Sequence, residues 1–279
     1  VDLRFVKMHG CGNDYVFVDN FSREIYNPER LATRFCVRRF GIGADGFVML
    51  GKSMVADAKM RMFNPDGSEA QMCGNAIRCA AKFLVERGYC QNLEITIETL
   101  DGIKEITAYA TSNQVHSARV NMGMPRFAPE QIPANLPGDM IIDYPLEVGG
   151  RQWRITCVSV GNPHCVIFVD NIDDLDLEQI GPDFEHHEFF PERINTEFIR
   201  IIDRNKLQMR VWERGAGETL ACGTGAAAAA VAAILNGHCD KNTDIQIELS
   251  GGTIVINFTD NGIFMTGGCF QVYEGIVIL

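Results

Sequence analysis

The feature that most constrains this chain is that it is written twice. Cys73-Gly74 in "QMCGNAIRCAAKF" returns as Cys222-Gly223 in "LACGTGAAAAAVAA", 149 residues later. The same offset pairs Met60-Arg61 with Met209-Arg210, Phe63 with Trp212, Glu69 with Glu218, and Gly12-Asn13 with Gly161-Asn162. "ITIETLDG" (95–102) and "IQIELSGG" (245–252) agree at an offset of 150. An offset near half of the 279 residues, held across separated segments, implies two similar halves.

Each half reads as strands around one principal helix. Short alternating or apolar runs bounded by Gly, Asn, Asp or Pro predict strands at 16–20, 47–50, 58–63, 93–99, 104–110 and 116–122 in the first half. The second half has them at 152–160, 165–170, 196–202, 207–212, 244–249, 253–258 and 264–273. "NPERLATRFCVRRF" (27–40) predicts a surface amphipathic helix with an Asn cap and Pro at the first helical position. The two repeated helices differ from it. Ala226 to Leu235 is apolar on every side and stops at Asn236-Gly237, and Ala76 to Arg87 is apolar in its first half and stops at Gly88. The expected fold is therefore α/β (α+β): two pseudo-symmetric domains, each a curled, mostly antiparallel sheet around a central helix that begins at a Cys-Gly pair.

Composition narrows the function classes. Apolar residues make up 46% and charged residues 22%, and no run approaches the roughly 20 apolar residues of a membrane span. The opening segment has no apolar stretch followed by a small-residue cleavage site, so the expectation is a soluble, cytoplasmic protein. A net charge of −11 argues against a nucleic-acid or anionic-membrane partner and leaves a small molecule. The ten cysteines are expected as free thiols, and with no C-x-x-C pair or H-E-x-x-H neither a zinc site nor a thioredoxin-like motif has support. "FEHHEFF" (184–190) is read as a solvated segment. "GIGADG" (41–46) matches a dinucleotide-binding fingerprint in letters only, because a helix precedes it and a strand follows; it reads as a turn.

Cys73 and Cys222 are the chemistry-bearing positions. A helix N-terminus carries about half a positive charge and unpaired N–H groups, which lower a thiol pKa and bind a carboxylate. The glycine after each thiol lets a ligand approach the backbone. Two such helix ends facing each other across a cleft would place an α-carbon between two sulfurs. One thiolate then takes the α-proton while the opposite thiol delivers one, inverting the centre, and the converging amides stabilise the carbanion. No pyridoxal or metal motif is evident, so no cofactor and no metal are expected.

"MHGCGNDY", "FNPDGSEAQMCGNAIRC", "GNPHCV", "PERINTEFI" and "ERGAGETLACGTGA" together resemble, in order, the signatures of the diaminopimelate epimerase family. The resemblance implies a cofactor-independent enzyme that interconverts L,L- and meso-diaminopimelate for lysine and peptidoglycan-precursor synthesis, working as a homodimer. It implies lobes at 1–122 plus 268–279 and at 123–267, with the active site between them. It assigns Cys73 and Cys222 as acid/base thiols, and Gly74, Asn75, Gly223 and Thr224 as the helix starts that hold the reacting carboxylate. Asn13, Asn64, Asn162, Asn195, Glu213 and Arg214 match substrate-recognising groups, and His164 and Glu213 match groups that tune the thiols. Gly46 stands where some members carry Gln, and Cys11 where Leu is common. Related alternatives are a two-thiol racemase such as proline racemase, a non-catalytic amino-acid binder, or a thiol-redox protein.

Overall fold

The computed structural model describes residues 2–22 and 25–278; the outermost residues of the expected first lobe, Val1 and Leu279, lie outside the described residues, as do Arg23 and Glu24. The chain divides into two compact units, Val1–Asn121 with Thr266–Leu279, and Met122–Met265.

The first unit contains β1 (Asp2–Gly10), β2 (Asn13–Asp19), α1 (Pro28–Phe35), β3 (Gly46–Gly51), β4 (Ala58–Phe63), β5 (Glu69–Ala70) and α2 (Gly74–Glu86). It continues through β6 (Glu94–Thr99), β7 (Gly102–Thr111) and β8 (Gln114–Asn121). The second unit contains β9 (Tyr144–Val148), β10 (Arg151–Ser159), β11 (Pro163–Phe168), α3 (Leu177–Glu185), β12 (Asn195–Asp203), β13 (Lys206–Glu213) and β14 (Gly217–Thr219). It ends with α4 (Gly223–Leu235), β15 (Asp244–Leu249) and β16 (Gly252–Thr259). The chain re-enters the first unit within β17 (Gly262–Gly268) and closes with β18 (Phe270–Ile278), which pairs antiparallel with β1.

Both units use one ladder. β2 runs parallel to β3, β3 antiparallel to β4, and β4 parallel to β6. β11, β12, β13 and β15 repeat this sequence of directions. The remaining pairs recorded in the two units are antiparallel. The repeat extends to side chains: Arg61 grips Glu69 through Nε and Nη2 at 2.7 and 2.8 Å, and Arg210 grips Glu218 the same way at 2.8 and 3.0 Å. Each fork ties its long strand to the short strand that leads into the Cys-Gly helix.

α2 and α4 are both 13 residues long and both begin one residue after the thiol, as the repeat predicts. α4 buries Ala226 through Ala233 without interruption. A helix with no polar face must be enclosed, and small alanines let sheet side chains approach its backbone closely. In the second unit Trp153, Phe184 and Phe198 meet edge to face in a core cluster drawn from residues 132–212.

The structure differs from the sequence reading at several places. The helix expected over 27–40 stops at Phe35, since Arg39 takes a left-handed backbone and the chain turns back through Gly43 N–H to Phe35 O. Asn27 is at the cap position but is itself left-handed, so its side chain makes no capping bond. The expected strand over 264–273 is two strands broken at Cys269. β1, β9 and α3 were not anticipated; α3 carries Pro182 inside it, which masks the helical pattern. The 184–190 segment is not wholly solvated: Phe184, Glu185 and Phe190 are buried, His187 and Phe189 are half-buried, and only His186 and Glu188 are exposed.

Candidate active site

In the first unit, Cys73 is the N-cap of α2, in extended conformation, with Gly74 and Asn75 forming the first turn. Its sulfur lies 3.2 Å from the Tyr15 hydroxyl. Burial, then the neighbouring Cys73, pushes that hydroxyl well above its usual range, so Tyr15 keeps its proton and can donate it in a hydrogen bond to a thiolate. Asn75 is buried, and its Oδ1 accepts a hydrogen bond from Arg78 Nη2 at 2.9 Å. Arg78, fully buried, also donates to Gly74 O at 3.1 Å, so one guanidinium fixes both residues of the helix start.

Asn13 opens β2 directly after the Cys11-Gly12 turn, where both residues have positive φ, 52° and 84°. Left-handed geometry at both central positions is what a two-residue hairpin loop requires, so Cys11 is carried there by the turn. Asp14, next to Asn13, is locked to the loop that leads into β3: its backbone N–H donates to Asp45 Oδ2 at 3.0 Å, Asp45 N–H returns to Asp14 Oδ1 at 3.1 Å, and Lys7 and Arg38 pair with the two carboxylates. Asn64 is engaged in its own turn, its Nδ2 donating to Ser68 Oγ at 3.0 Å. Gly46 lies beside Tyr15; a Cβ there would come within 2.8 Å of Met62 Cε and 3.2 Å of Phe63 O, so a side chain at this position would require the end of Met62 to shift.

In the second unit, Cys222 caps α4 in the same conformation, and Gly225 N–H donates to its sulfur at 3.4 Å. Thr224 Oγ1 lies 3.4 Å from that sulfur and accepts from Asn162 Nδ2 at 3.2 Å. Asn162 Oδ1 is 3.0 Å from His164 Nε2, and His164 Nδ1 is 2.7 Å from Glu197 Oε1. His164 and Glu197 are fully buried. Glu213 is hydrogen-bonded to Thr219 Oγ1 and to the Cys222 thiol. Burial holds Glu213 above the usual carboxylate range despite those bonds. Burial, followed by the charges of Glu213 and Glu197, pushes the Cys222 thiol well above its ordinary value. This unit therefore holds Cys222 with its proton.

Asn195 and Arg214 have partners within the protein. Asn195 Oδ1 accepts from Arg214 N–H at 2.9 Å and its Nδ2 donates to Pro163 O at 2.8 Å, while Arg214 Nη1 donates to Glu192 O at 2.9 Å. The second unit thus gathers Asn162, His164, Asn195, Glu213, Arg214, Cys222, Gly223 and Thr224 on the ends of β11, β12, β13 and α4. The sequence reading missed Tyr15, Arg78, Glu185 and Glu197. The 149-residue offset carried a signal for two of them, since it sets Tyr15 opposite His164 and Glu197 opposite Val48.

The family model described as diaminopimelate epimerase matches residues 5–128 and 156–271. The chain belongs to the diaminopimelate epimerase family. A curated relative named diaminopimelate epimerase from Acetivibrio thermocellus is 48% identical, covering 99% of each chain. The one of that name from Desulfovibrio desulfuricans is also 48% identical, over 99% of this chain and 98% of its own. Among solved structures, a probable proline racemase from Agrobacterium radiobacter K84 superposes with a TM-score of 0.74 at 15% identity, over 99% of this chain and 93% of its own. A Bacillus anthracis phenazine biosynthesis protein of the PhzF family gives 0.73 at 20% identity over the whole of both chains. At those identities the likeness is one of fold. Family membership makes the chain an isomerase, and no described helix is long and apolar enough to cross a membrane.

Proposed function

We propose that the chain interconverts L,L- and meso-diaminopimelate without a cofactor, Cys73 and Cys222 acting on opposite faces of one α-carbon. The observation that carries this reading is that each thiol is the N-cap of a 13-residue helix in the same place of its unit. The helix starts at Gly74-Asn75 and Gly223-Thr224, where the backbone N–H groups of a first turn point away from the helix, suit the reacting carboxylate. One sulfur enters as thiolate and takes the α-proton; the electron pair passes into the carboxylate; the opposite S–H gives its proton to the other face and becomes the thiolate. The raised Cys222 thiol supplies the protonated partner of that pair.

Asn13, Asn64, Asn162, Asn195, Glu213 and Arg214 are the groups assigned to substrate recognition, with Arg214 for the distal carboxylate. Their internal hydrogen bonds give this assignment a specific form. Asn195 serves through the backbone of Arg214, which it holds, and Asn64 through its turn. The protein is cytoplasmic and homodimeric in this reading. A second copy is supported by Phe270, Val272, Tyr273, Ile276 and Ile278, five large apolar side chains exposed along β18.

The test is proton NMR of the reduced protein with L,L-diaminopimelate in D2O. Loss of the α-hydrogen with appearance of the meso isomer is expected, and its abolition in both Cys73→Ala and Cys222→Ala. Binding of the substrate without α-hydrogen exchange by the wild type would leave an amino-acid binder instead.

A further inference from the structure

Glu197 is the least expected group near either thiol. It is fully buried on β12, its Oε1 is 2.7 Å from His164 Nδ1, and its Oε2 has no hydrogen-bond partner among the described residues. A carboxylate taken out of water is costly to keep unless it is paired, and His164 is the titratable group against it. We propose that Glu197 is a positioning residue of the epimerisation, holding His164 Nδ1 so that Nε2 faces Asn162, and through Asn162 and Thr224 fixing the polar edge that meets Cys222. The proposal rests on the epimerase reading above.

The internal repeat isolates what this side chain is for. At the matching place the first unit has Val48, and His164 is matched by Tyr15. The second unit thus buries an acid and a base where the first has an apolar residue and a phenol. A third position changes with them. A Cβ on Gly225 would lie 2.6 Å from Glu197 Oε1, closer than any real contact, whereas the matching position in α2 is Ala76. The glycine in the first turn of α4 makes room for the carboxylate, so three positions on three elements are built together around it.

The hydrogen bonds run in one direction. Asn162 Nδ2 donates to Thr224, which turns Asn162 Oδ1 toward His164, and that oxygen can only accept, so Nε2 carries a proton. His164 Nδ1 and Glu197 Oε1 then share whatever proton lies between them. Without the carboxylate, Nδ1 has nothing to fix it, and the ring is free to present an acceptor to Asn162 and undo the chain to Thr224. The other groups facing Glu197 are Cys222 at the start of α4 and Cys165 on β11, with Glu213 of β13 beyond the thiol.

The experiment combines histidine 15N NMR with kinetics on Glu197→Gln, His164→Gln and the double variant. In Glu197→Gln we expect the His164 ring to change its 15N tautomer pattern. We also expect kcat to fall about tenfold or more, a smaller loss than removal of the orienting carboxylate of a hydrolase triad, with KM within about twofold. In the His164→Gln background the second substitution should cause no further loss, because Glu197 acts only through the ring. An unchanged ring pattern in Glu197→Gln, or losses that multiply in the double variant, would overturn the proposal. Should Glu197→Gln not fold, Gly225→Ala, which keeps the carboxylate but displaces it, must alter the ring pattern. The ring signal is read without substrate, so it tests the coupling even if the chain does not act on diaminopimelate.

Discussion

Tyr15 and His164 stand 149 residues apart at the same place in the two units, yet they surround their thiols differently. The Tyr15 hydroxyl lies 3.2 Å from Cys73 Sγ, while the His164 ring bonds to Glu197 and Asn162 and reaches Cys222 only through Thr224. The two helix ends are alike in backbone and unlike in charge. Cys73 has a neutral donor beside it, and Cys222 has the two carboxyl groups of Glu213 and Glu197.

Tyr15→Phe removes the donor and little else, since the ring stays packed edge to face on Phe17. A hydrogen bond to a charged group is worth about 1.5–3 kcal/mol, so the thiolate of Cys73 should be disfavoured about tenfold or more. The check is the rate of Cys73 alkylation by iodoacetamide at fixed pH in the Cys222→Ala background. An unchanged rate would mean that the hydroxyl accepts from the thiol and does not stabilise the thiolate.

Glu213→Gln should act on the other sulfur with the opposite sign. Burial is the first reason the Cys222 thiol is raised, and the Glu213 charge is the second. Removing that charge lowers the thiol pKa, and each unit of lowering increases the thiolate fraction about tenfold. In the Cys73→Ala background, Cys222 alkylation near neutral pH should therefore speed up even as turnover of the otherwise intact enzyme falls. Slower alkylation would show that the Glu213 contact to sulfur matters more than its charge.

Much of this was legible in the sequence because repetition and helix termini are local signals. The offset located both thiols, both helix starts at Gly74 and Gly223, and the long strands between them. What stayed hidden was set by tertiary contact. Glu197 lies in "TEFIRII", where alternation alone cannot tell a solvent-facing acid from one enclosed against His164. Glu185 sits in a segment rich in charged residues and His, and its burial depends on Trp212, 27 positions later. The helix expected over 27–40 ends at Phe35, ahead of both the left-handed Arg39 and the first glycine, Gly41, so no local breaker marks its last residue.

Lys7→Met should destabilise the first unit in a pH-dependent way. Burial alone would raise the Asp14 carboxyl, but hydrogen bonds from Lys7 and Arg38 outweigh it and hold Asp14 below the usual carboxylate range. A group depressed in the folded state adds stability above its unfolded pKa of about 4 and loses it as pH falls through the folded value. Lys7 is buried, but Asp14 is partly exposed and keeps Arg38, so the variant should lose less at pH 7 than the about 3–5 kcal/mol of breaking a fully buried pair. The gap to wild type should narrow in acid, where protonated Asp14 needs no partner. Asp45, raised chiefly by burial, works in the opposite sense and reduces the net slope. Urea unfolding at several pH values measures the gap, and a constant difference would exclude the ion pair as its source.

Glu185 makes the last prediction, because it holds the turn carrying Glu213 and Arg214 from both sides. Its Oε2 accepts from Trp212 Nε1 at 2.8 Å and its Oε1 from Gly215 N–H at 3.0 Å, with Arg193 3.4 Å away. Glu185→Ala leaves the buried Trp212 Nε1–H without an acceptor, at about 1–3 kcal/mol, while the N–H of Gly215, an exposed residue, can turn to water. The expected loss in urea unfolding is about 2 kcal/mol. Glu185→Gln keeps one acceptor and should lose about half as much. Because Gly181 packs directly on the Trp212 ring, the indole itself stays seated and the slack falls on residues 213 to 217. The Arg214 backbone is then held by Asn195 alone, without the support of the turn at Gly215, so KM for diaminopimelate should rise more than kcat falls. A loss of stability with KM unchanged would mean that this turn does not bind the substrate and that Arg214 has been assigned wrongly.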